Sequence, residues 1–191
     1  MIEIRIHGRG GQGNVVAAYL LATAAFEDER YGQAFPNFGA ERRGAPVAAF
    51  VRISSQPIRR RCQVLSPAFL IIQDETLLHV GGVLDGLRQG GGILVNSSRS
   101  SDELSASVGR TTIALPAAAL ANRVLGRPVP NTALLAAFLG LTGLLPQEAL
   151  IKALAERFRG DVLERNSRLV EEAAGMVTAG QWKVTEHAAR A

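Results

Sequence analysis

The chain has 191 residues, of which 47% are hydrophobic and 20% charged, enough for one globular domain with a buried core. No apolar stretch is long enough to span a bilayer, and the first residues lack a signal-peptide pattern, so we expect a cytoplasmic protein with no membrane partner. The single cysteine, Cys62, excludes an internal disulfide and any iron–sulfur or cysteine-rich zinc site made by this chain alone.

The positive charge of the chain comes almost entirely from arginine. The formal net charge is +4, and Lys152 and Lys183 are the two lysines among 21 basic residues. Codon bias explains much of this preference, but arginine also suits phosphate and carboxylate, because its planar fork bonds two oxygens at once. Nucleic-acid binding needs aromatic side chains interleaved with the basic ones. Aromatic residues make up 5% of the chain, so we expect no nucleic-acid partner.

The first half of the chain alternates between strand and helix patterns. Residues 2–6 alternate as a strand, residues 14–26 have a helical apolar face, and the Gly/Pro-rich residues 31–46 are predicted to be a loop. Further strands are predicted at 46–53 and at 68–73, the second buried and parallel to its neighbours.

The second half becomes helical. We predict a helix at 75–88 and strands at 91–96 and 110–115. Three helices follow, at 131–143, 146–158 and 161–177. In the first, Asn131 is predicted to be the N-cap and Gly143 the stop. Pro146 is expected in the first turn of the second helix, and Asp161 is the predicted cap of the third. The fold class is therefore α/β: a single domain with a mostly parallel sheet flanked by helices and a helical C-terminal third. We predict that residues 1–179 form the domain and that residues 180–191 are a tail or a partner-binding segment.

The glycine-rich segment after the first strand is the first candidate site. Gly8, Gly10 and Gly13 fit the pattern G-x-G-x-x-G between a strand and a helix. Glycines let the backbone approach an anion, and the N-terminus of the next helix favours a phosphate. A tight turn of purely structural value is the alternative. Binding of NAD(P) also requires an acidic residue at the end of the second strand, and Asp28 and Glu29 instead follow a helix.

A pair of arginines forms the second candidate site. Arg42 and Arg43 are bracketed by glycine and proline, and their forks can make bidentate contacts with phosphate. A solvated loop or a subunit contact is the alternative. The sequence contains no recognisable nucleophile motif, metal motif or pair of catalytic carboxylates, so we expect no catalytic residue and no metal ligand. Binding features without catalytic ones indicate a subunit of a larger enzyme.

Three segments together carry a family resemblance. "IRIHGRGGQG", "QAFPNFGAERRGAPVAAFVRIS" and "GRPVPNTALLAA", in this order and at these spacings, resemble the gamma subunit of the 2-oxoacid:acceptor oxidoreductases, such as pyruvate:ferredoxin oxidoreductase. The resemblance extends from about residue 2 to about residue 178. It implies a non-catalytic subunit of an enzyme that converts a 2-oxoacid, coenzyme A and an oxidised acceptor into acyl-CoA, CO2 and a reduced acceptor.

The resemblance also implies where the cofactors lie. Thiamine diphosphate is held by alpha and beta subunits, and 4Fe–4S clusters by beta and a ferredoxin-like delta subunit. These subunits are the expected partners, and the chain alone is expected to bind no cofactor.

Within such a complex the gamma subunit contributes to the coenzyme A site. The matching positions in this sequence are Gly8, Arg9, Gly10, Gly11, Gln12, Gly13, Asn14, Arg42, Arg43 and Asn131. The resemblance does not decide which of the two arginines contacts coenzyme A. A free-standing NAD(P)-dependent oxidoreductase and a purely structural gamma subunit remain as alternatives, and the 2-oxoacid and the electron acceptor stay open.

Overall fold

The structure is a computed structural model that describes residues 1–37 and 44–184. Its strands alternate with helices in the first part of the chain. They are β1 (Ile2–Arg9), β2 (Tyr31–Pro36), β3 (Pro46–Ser54), β4 (Phe69–Ile72), β5 (Gly92–Asn96) and β6 (Thr112–Leu115).

Six α-helices complete the chain, four of them after β6. They are α1 (Asn14–Glu27), α2 (Ser101–Val108), α3 (Ala117–Leu125), α4 (Asn131–Thr142), α5 (Gln147–Arg157) and α6 (Gly160–Ala174). A short 3-10 helix occupies Glu75–His79. Among the described helices, none has both the length and the apolar character that crossing a membrane requires.

All six strands form one sheet in the order β2-β3-β1-β4-β5-β6. Strands β1, β4, β5 and β6 pair in parallel, whereas β3 pairs antiparallel with both β1 and β2. Only β3 is therefore reversed among the described strands. This confirms the predicted fold class, an α/β domain with a mostly parallel sheet and a helical C-terminal part.

The two faces of the sheet are covered differently. On one face, the alternate residues Ile2, Ile4 and Ile6 of β1 pack in a large core with α1 and α3–α6. On the other face, Leu70 and Ile72 of β4 pack with the 3-10 helix, the turns that follow it, and α2. The helix that follows β1 therefore covers one face of the sheet, and the 3-10 helix that follows β4 covers the other face, although β1 and β4 are neighbouring strands.

Two element predictions are wrong. Residues 31–46, predicted to be a loop, contain β2 at Tyr31–Pro36, an edge strand that pairs along β3. Proline is tolerated there because an edge strand leaves one side unpaired. Residues 75–88, predicted to be helical, form only the 3-10 helix at Glu75–His79 and then turns. The glycines Gly82 and Gly86 have positive φ in those turns, which an α-helix does not allow.

The predicted helix starts are also corrected. The N-cap of α4 is Pro130, so Asn131 is the first helical residue rather than the cap. Arg159 is the N-cap of α6, and Asp161 lies in its first turn. Pro146 precedes α5 as its N-cap instead of lying in the first turn. Gly143 adopts the left-handed conformation after α4, which confirms it as the stop.

The first residues of the predicted tail pack on the domain. The backbone N–H groups of Gly180 and Trp182 donate to the carbonyls of Gly140 and Leu141 at 2.9 and 2.8 Å. The Trp182 ring stacks on Phe69 with centroids 5.4 Å apart and is 9% exposed. The chain is therefore anchored to the core at least as far as this tryptophan.

Candidate functional site

The glycine-rich loop connects the end of β1 to the start of α1, as the sequence predicts. Its backbone turns by local hydrogen bonds: the Gln12 N–H donates to the Arg9 carbonyl at 3.0 Å, and the Gln12 side chain accepts from the Arg9 N–H at 2.7 Å. The Gly10 N–H donates to the Ala45 carbonyl at 2.9 Å. These bonds hold the loop against the chain that leads into β3.

Two of the loop glycines are required by asparagine side chains. A Cβ atom on Gly8 would overlap Oδ1 of Asn14 and lie 2.9 Å from its Nδ2. A Cβ atom on Gly13 would lie 2.6 Å from Nδ2 of Asn131, and Gly13 also has a φ of +79°. The first and last glycines of the pattern therefore make room for two amide side chains at the N-terminus of α1.

These two asparagines come from distant parts of the sequence. Asn14 donates from Nδ2 to the Val47 carbonyl at 3.2 Å, and Asn131 donates to the Gly13 carbonyl at 3.1 Å. Both side chains are buried, and the Oδ1 atoms of both have no hydrogen-bond partner within the described parts of the chain. The predicted site residues from the first and third sequence segments are thus brought together by tertiary contact.

Arg9 is already committed to bonds inside the protein. Its guanidinium donates to Asp74 at 2.9 Å, to the Thr76 hydroxyl at 2.6 Å and to the Gly44 carbonyl at 3.1 Å. Burial alone would raise the pKa of the Asp74 carboxyl, but hydrogen bonds from Thr76 and the Arg9 charge hold this pKa below its usual value. Arg9 therefore braces the loop against the chain after β4.

The N-terminus of α1 carries no cap of its own. Gly13 provides no side chain, and the first turn contains no acidic residue. Among the six described α-helices only α2 has a side-chain cap, the capping box of Ser100 and Glu103, so the feature that sets α1 apart is the glycine-rich loop that leads into it. An uncapped helix start leaves N–H donors and a partial positive charge that suit an anion.

Arg42 and Arg43 lie outside the described residues. Gly44, which follows them, donates from its N–H to the Gly10 carbonyl at 3.3 Å and accepts from Arg9. The described chain on the C-terminal side of the arginine pair is therefore bonded to the glycine-rich loop.

A crevice of about 380 Å³ opens beside the loop, at the point where β1 and β4 send the chain to opposite faces. We call it the switch-point crevice; its lining is Gln12, residues 73–75 and 96–98, Pro116, Ala118 and Ala119. Ligands of open α/β sheets bind at such points, beyond the carboxyl ends of the strands. Gln12 is a predicted site residue, whereas the other lining residues were not predicted, although polar residues directly after two buried strands, Gln73 and Asn96, were a readable signal.

A larger cavity, of about 460 Å³, lies against β2 and is lined by Gln33, Arg61 and Gln63 among others. None of its described side chains has a buried polar atom without a partner, whereas both Gln73 amide atoms in the switch-point crevice lack one. The described residues contain no group of three or more potential metal ligands. The crevice and the loop beside it are therefore the stronger candidate site.

The arrangement beside β1 differs from a dinucleotide-binding site. Such a site needs a parallel strand next to the first, with an acidic residue at its carboxyl end. In the sheet, β1 lies between β4 and β3. The strand β3, which is on the side of β2, is antiparallel to β1 and ends at the opposite edge of the sheet. The strand β2 is followed by Asn37, which is not acidic.

Comparison with known proteins points to one family. The family model described as pyruvate ferredoxin/flavodoxin oxidoreductase matches residues 3–176. The chain is 50% identical over 167 residues to pyruvate synthase subunit PorC of Methanothermobacter marburgensis, covering 87% of this chain and 92% of that protein. It is 45% identical over 177 residues to the pyruvate/ketoisovalerate oxidoreductases common subunit gamma of Thermococcus kodakarensis, covering 91% and 95%.

Solved structures give the same result. Pyruvate oxidoreductase subunit PORC from Thermotoga maritima superposes with a TM-score of 0.81 at 35% identity, covering 91% of this chain and 95% of that one. A 2-oxoglutarate:ferredoxin oxidoreductase from Magnetococcus marinus, solved with 2-oxoglutarate, coenzyme A and succinyl-CoA bound, has a TM-score of 0.75 at 20% identity. That match covers 97% of this chain and 33% of the larger one, and at this identity it shows the shared fold.

Proposed function

The chain belongs to the pyruvate ferredoxin/flavodoxin oxidoreductase family as a gamma-type subunit, and from this premise we propose that it forms part of the coenzyme A site of a multi-subunit 2-oxoacid oxidoreductase. In that complex a 2-oxoacid and coenzyme A react with an oxidised acceptor to give acyl-CoA, CO2 and reduced acceptor. The glycine-rich loop, Asn14, Asn131 and the pair Arg42 and Arg43 are its proposed contacts with coenzyme A.

The uncapped N-terminus of α1 is the observation that carries this proposal. Coenzyme A has a diphosphate and a 3′-phosphate, and a helix start with free N–H donors stabilises such groups. Asn131 shapes this helix start, since its Nδ2 donates to the Gly13 carbonyl and its side chain fills the space that a Cβ atom on Gly13 would need.

The reaction chemistry itself is assigned to partner subunits. The sequence has one cysteine, and no described group of residues suits a metal. When bound in the partners, thiamine diphosphate supplies decarboxylation and iron–sulfur clusters supply electron transfer. The residues of this chain bind and orient coenzyme A. The relative from Thermococcus kodakarensis is named a common subunit of pyruvate and ketoisovalerate oxidoreductases, which supports selection of the 2-oxoacid outside the gamma subunit.

Substitution of Gly11 tests the loop directly. Gly11 has a φ of +94°, and a Cβ atom there meets nothing within 4 Å, so Gly11→Ala introduces a methyl group on the open side of the loop. We expect the affinity of the assembled complex for coenzyme A to fall by about tenfold or more, since the methyl group blocks a charged hydrogen bond. Decarboxylation in the absence of coenzyme A should continue at the wild-type rate.

Gly109→Ala is the matched control. Gly109 also has a positive φ, +69°, and an open Cβ position, but it lies at the end of α2, far from the loop in the topology. Gly109→Ala therefore also places alanine at a positive φ, but at a position outside the glycine-rich loop. Equal losses of coenzyme A affinity in both variants, or none in either, would contradict the assignment of the loop.

The arginine pair is tested by single substitutions in the complex. One of the two arginines is expected to bind a phosphate. Its replacement, by Arg42→Ala or Arg43→Ala, should lower the affinity of the complex for coenzyme A by roughly tenfold or more. Lysine at that position should restore part of the affinity, because it keeps the charge but loses the fork. If the partner is the 3′-phosphate, the loss should shrink with dephospho-CoA. Dissociation of the complex in both alanine variants would assign the pair to a subunit contact instead.

A further inference from the structure

Gln73 is a buried amide that the proposed coenzyme A contacts leave unexplained. It follows β4, is 1% exposed and lines the switch-point crevice. Its backbone is fully used, because its N–H donates to the His7 carbonyl and its carbonyl accepts from Asn96. Its side-chain atoms Oε1 and Nε2 both lack a partner among the described residues. A buried polar group without a partner is destabilising and calls for a functional reason.

The neighbours of Gln73 are already engaged. The Asn96 side chain donates to the Gln73 carbonyl at 3.1 Å and accepts from the Ala118 N–H at 2.9 Å. Glu75 accepts a hydrogen bond from the Ser97 hydroxyl, and Asp74 is paired with Arg9. Among the described side chains that line the crevice, Gln73 is therefore the one whose buried donor and acceptor both lack a partner.

The charge and shape of the crevice restrict its ligand. The carboxylate of Glu75 repels a phosphate, and that of Asp74 is already paired with Arg9, whereas a neutral group is compatible with both. The lining also includes Pro116, Ala118 and Ala119, which are apolar and carry no bulky side chain. A flat, neutral group with polar atoms along one edge suits this combination.

The geometry of a primary amide narrows the choice further. Gln presents an acceptor and a donor side by side, which match the N6 amino group and N7 of adenine. Guanine offers two acceptors, O6 and N7, at the same positions and is rejected. The amides of a pantetheine chain are also poor matches, because the N–H and C=O of a trans secondary amide point in opposite directions.

We propose that the switch-point crevice binds the adenine base of coenzyme A and that Gln73 is the residue that recognises its N6–N7 edge. This inference rests on the proposed function, since it places the base beside the loop that holds the phosphates. Gln12 belongs to both places: it closes the turn of the glycine-rich loop and lines the crevice. Phosphates at the start of α1 and a base in the crevice are then continuous along one edge of the sheet.

Three ligands and one substitution test the proposal on the assembled complex by calorimetric titration. The ligands are coenzyme A, its analogue with hypoxanthine in place of adenine, and 4′-phosphopantetheine, which has no base. The wild-type complex should bind coenzyme A about tenfold or more tightly than the hypoxanthine analogue, whose O6 is an acceptor. Gln73→Met should lower the affinity for coenzyme A by a similar factor, abolish the preference between the two bases, and leave binding of 4′-phosphopantetheine unchanged.

Gln147→Met is the matched control. Gln147 is another partly buried glutamine, with Oε1 unpartnered within the described chain, but its Nε2 donates to the Ala136 carbonyl between α5 and α4. This variant should keep the preference for adenine. Loss of the preference in both variants would show that the effect is structural and would overturn the role of Gln73.

Other outcomes also decide the matter. Equal binding of the two bases by the wild-type complex overturns the proposal, and this comparison needs no variant, so it holds if Gln73→Met fails to assemble. An equal loss for all three ligands in Gln73→Met also overturns it. If Gly11→Ala weakens coenzyme A while Gln73→Met changes nothing, the base proposal alone fails. If neither variant changes coenzyme A binding, the proposed function fails as well.

Discussion

Two glycines of the glycine-rich loop are in close contact with neighbouring asparagine side chains, which the pattern G-x-G-x-x-G does not predict. A pattern of glycines is usually attributed to the approach of a phosphate. Here Gly8 and Gly13 also face the amides of Asn14 and Asn131. The glycines and asparagines therefore form pairs, and each pair can be tested by changing both members.

A double-mutant cycle tests the pair of Gly8 and Asn14. Gly8 has no positive φ, so alanine there meets only a steric obstacle, the Asn14 side chain. We expect Gly8→Ala to lower the free energy of unfolding by about 1–3 kcal/mol, typical of overpacking. In an Asn14→Ala background the same change should cost almost nothing. Urea unfolding of the four proteins measures the coupling, and additive effects would contradict the pairing.

His7 gives a second residue-scale prediction, on pH. Burial, and secondarily the Arg5 charge, lowers the pKa of His7 from 6.5 to about 4. Between these pH values the unfolded chain binds a proton that the folded chain does not, so stability falls as the pH decreases from 6.5 toward 4. The loss is on the order of 3 kcal/mol. Unfolding of His7→Gln at several pH values should show a weaker decrease than that of the wild type.

The control for this effect is His79→Gln, since His79 is exposed at the end of the 3-10 helix. This variant should keep the wild-type dependence of stability on pH. A His7→Gln protein that loses stability on acidification as steeply as the wild type would show that other groups cause the decrease.

At the scale of whole elements, the segment after α6 closes the core beneath β4 and β5. Trp182 stacks on Phe69, and a Cβ atom on Gly92 of β5 would lie 2.6 Å from the indole ring. The backbone of the same segment is bonded to the end of α4. The segment therefore joins the helical layer to the centre of the sheet, although Gly180 and Trp182 lie beyond the predicted domain boundary at residue 179.

Truncation separates the anchored residues from those beyond them. A chain ending at residue 179 loses Trp182, and we expect its free energy of unfolding to fall by about 3–5 kcal/mol, as for removal of a buried tryptophan. A chain ending at residue 184 retains all these contacts and should be as stable as the full chain. Equal stability of the two truncated chains would support the predicted boundary, with residues 180–191 as a tail.

At the scale of the molecule, the proposed contacts with coenzyme A lie along one edge of the sheet. The glycine-rich loop and the switch-point crevice share the carboxyl edge of the parallel strands, where the substrates of α/β proteins bind. The described residues include no metal cluster.

Affinity purification tests the proposed dependence on partner subunits. We expect the tagged chain, isolated from its native cells, to bring with it larger subunits that contain thiamine diphosphate and iron–sulfur clusters. The chain purified alone should be colourless and should not oxidise 2-oxoacids. A stable monomer with full 2-oxoacid oxidation activity would contradict the subunit assignment and favour a free-standing oxidoreductase.

Features that depend on local pattern could be predicted from the amino-acid sequence. The strand, glycine turn and helix at residues 2–27 were predictable because alternation, glycine and helical periodicity follow one another without interruption. The stop of α4 at Gly143 was equally local. The edge strand β2 was missed because its residues are half-buried and contain Gly and Pro, so only pairing with β3 makes them a strand.

Tertiary structure alone decided how distant residues meet. Asn131 looked like a helix cap, but folding places it against Gly13, 118 residues away, where it bonds a loop carbonyl instead. Gln73 belongs to no sequence motif, and only the fold places it in a crevice at the ends of β4 and β5, where its amide has no partner among the described residues. Local patterns report which backbone conformation a segment prefers. Which side chains share a crevice depends on strand order and on the face to which each connection turns, and these are set by packing between segments far apart in the sequence.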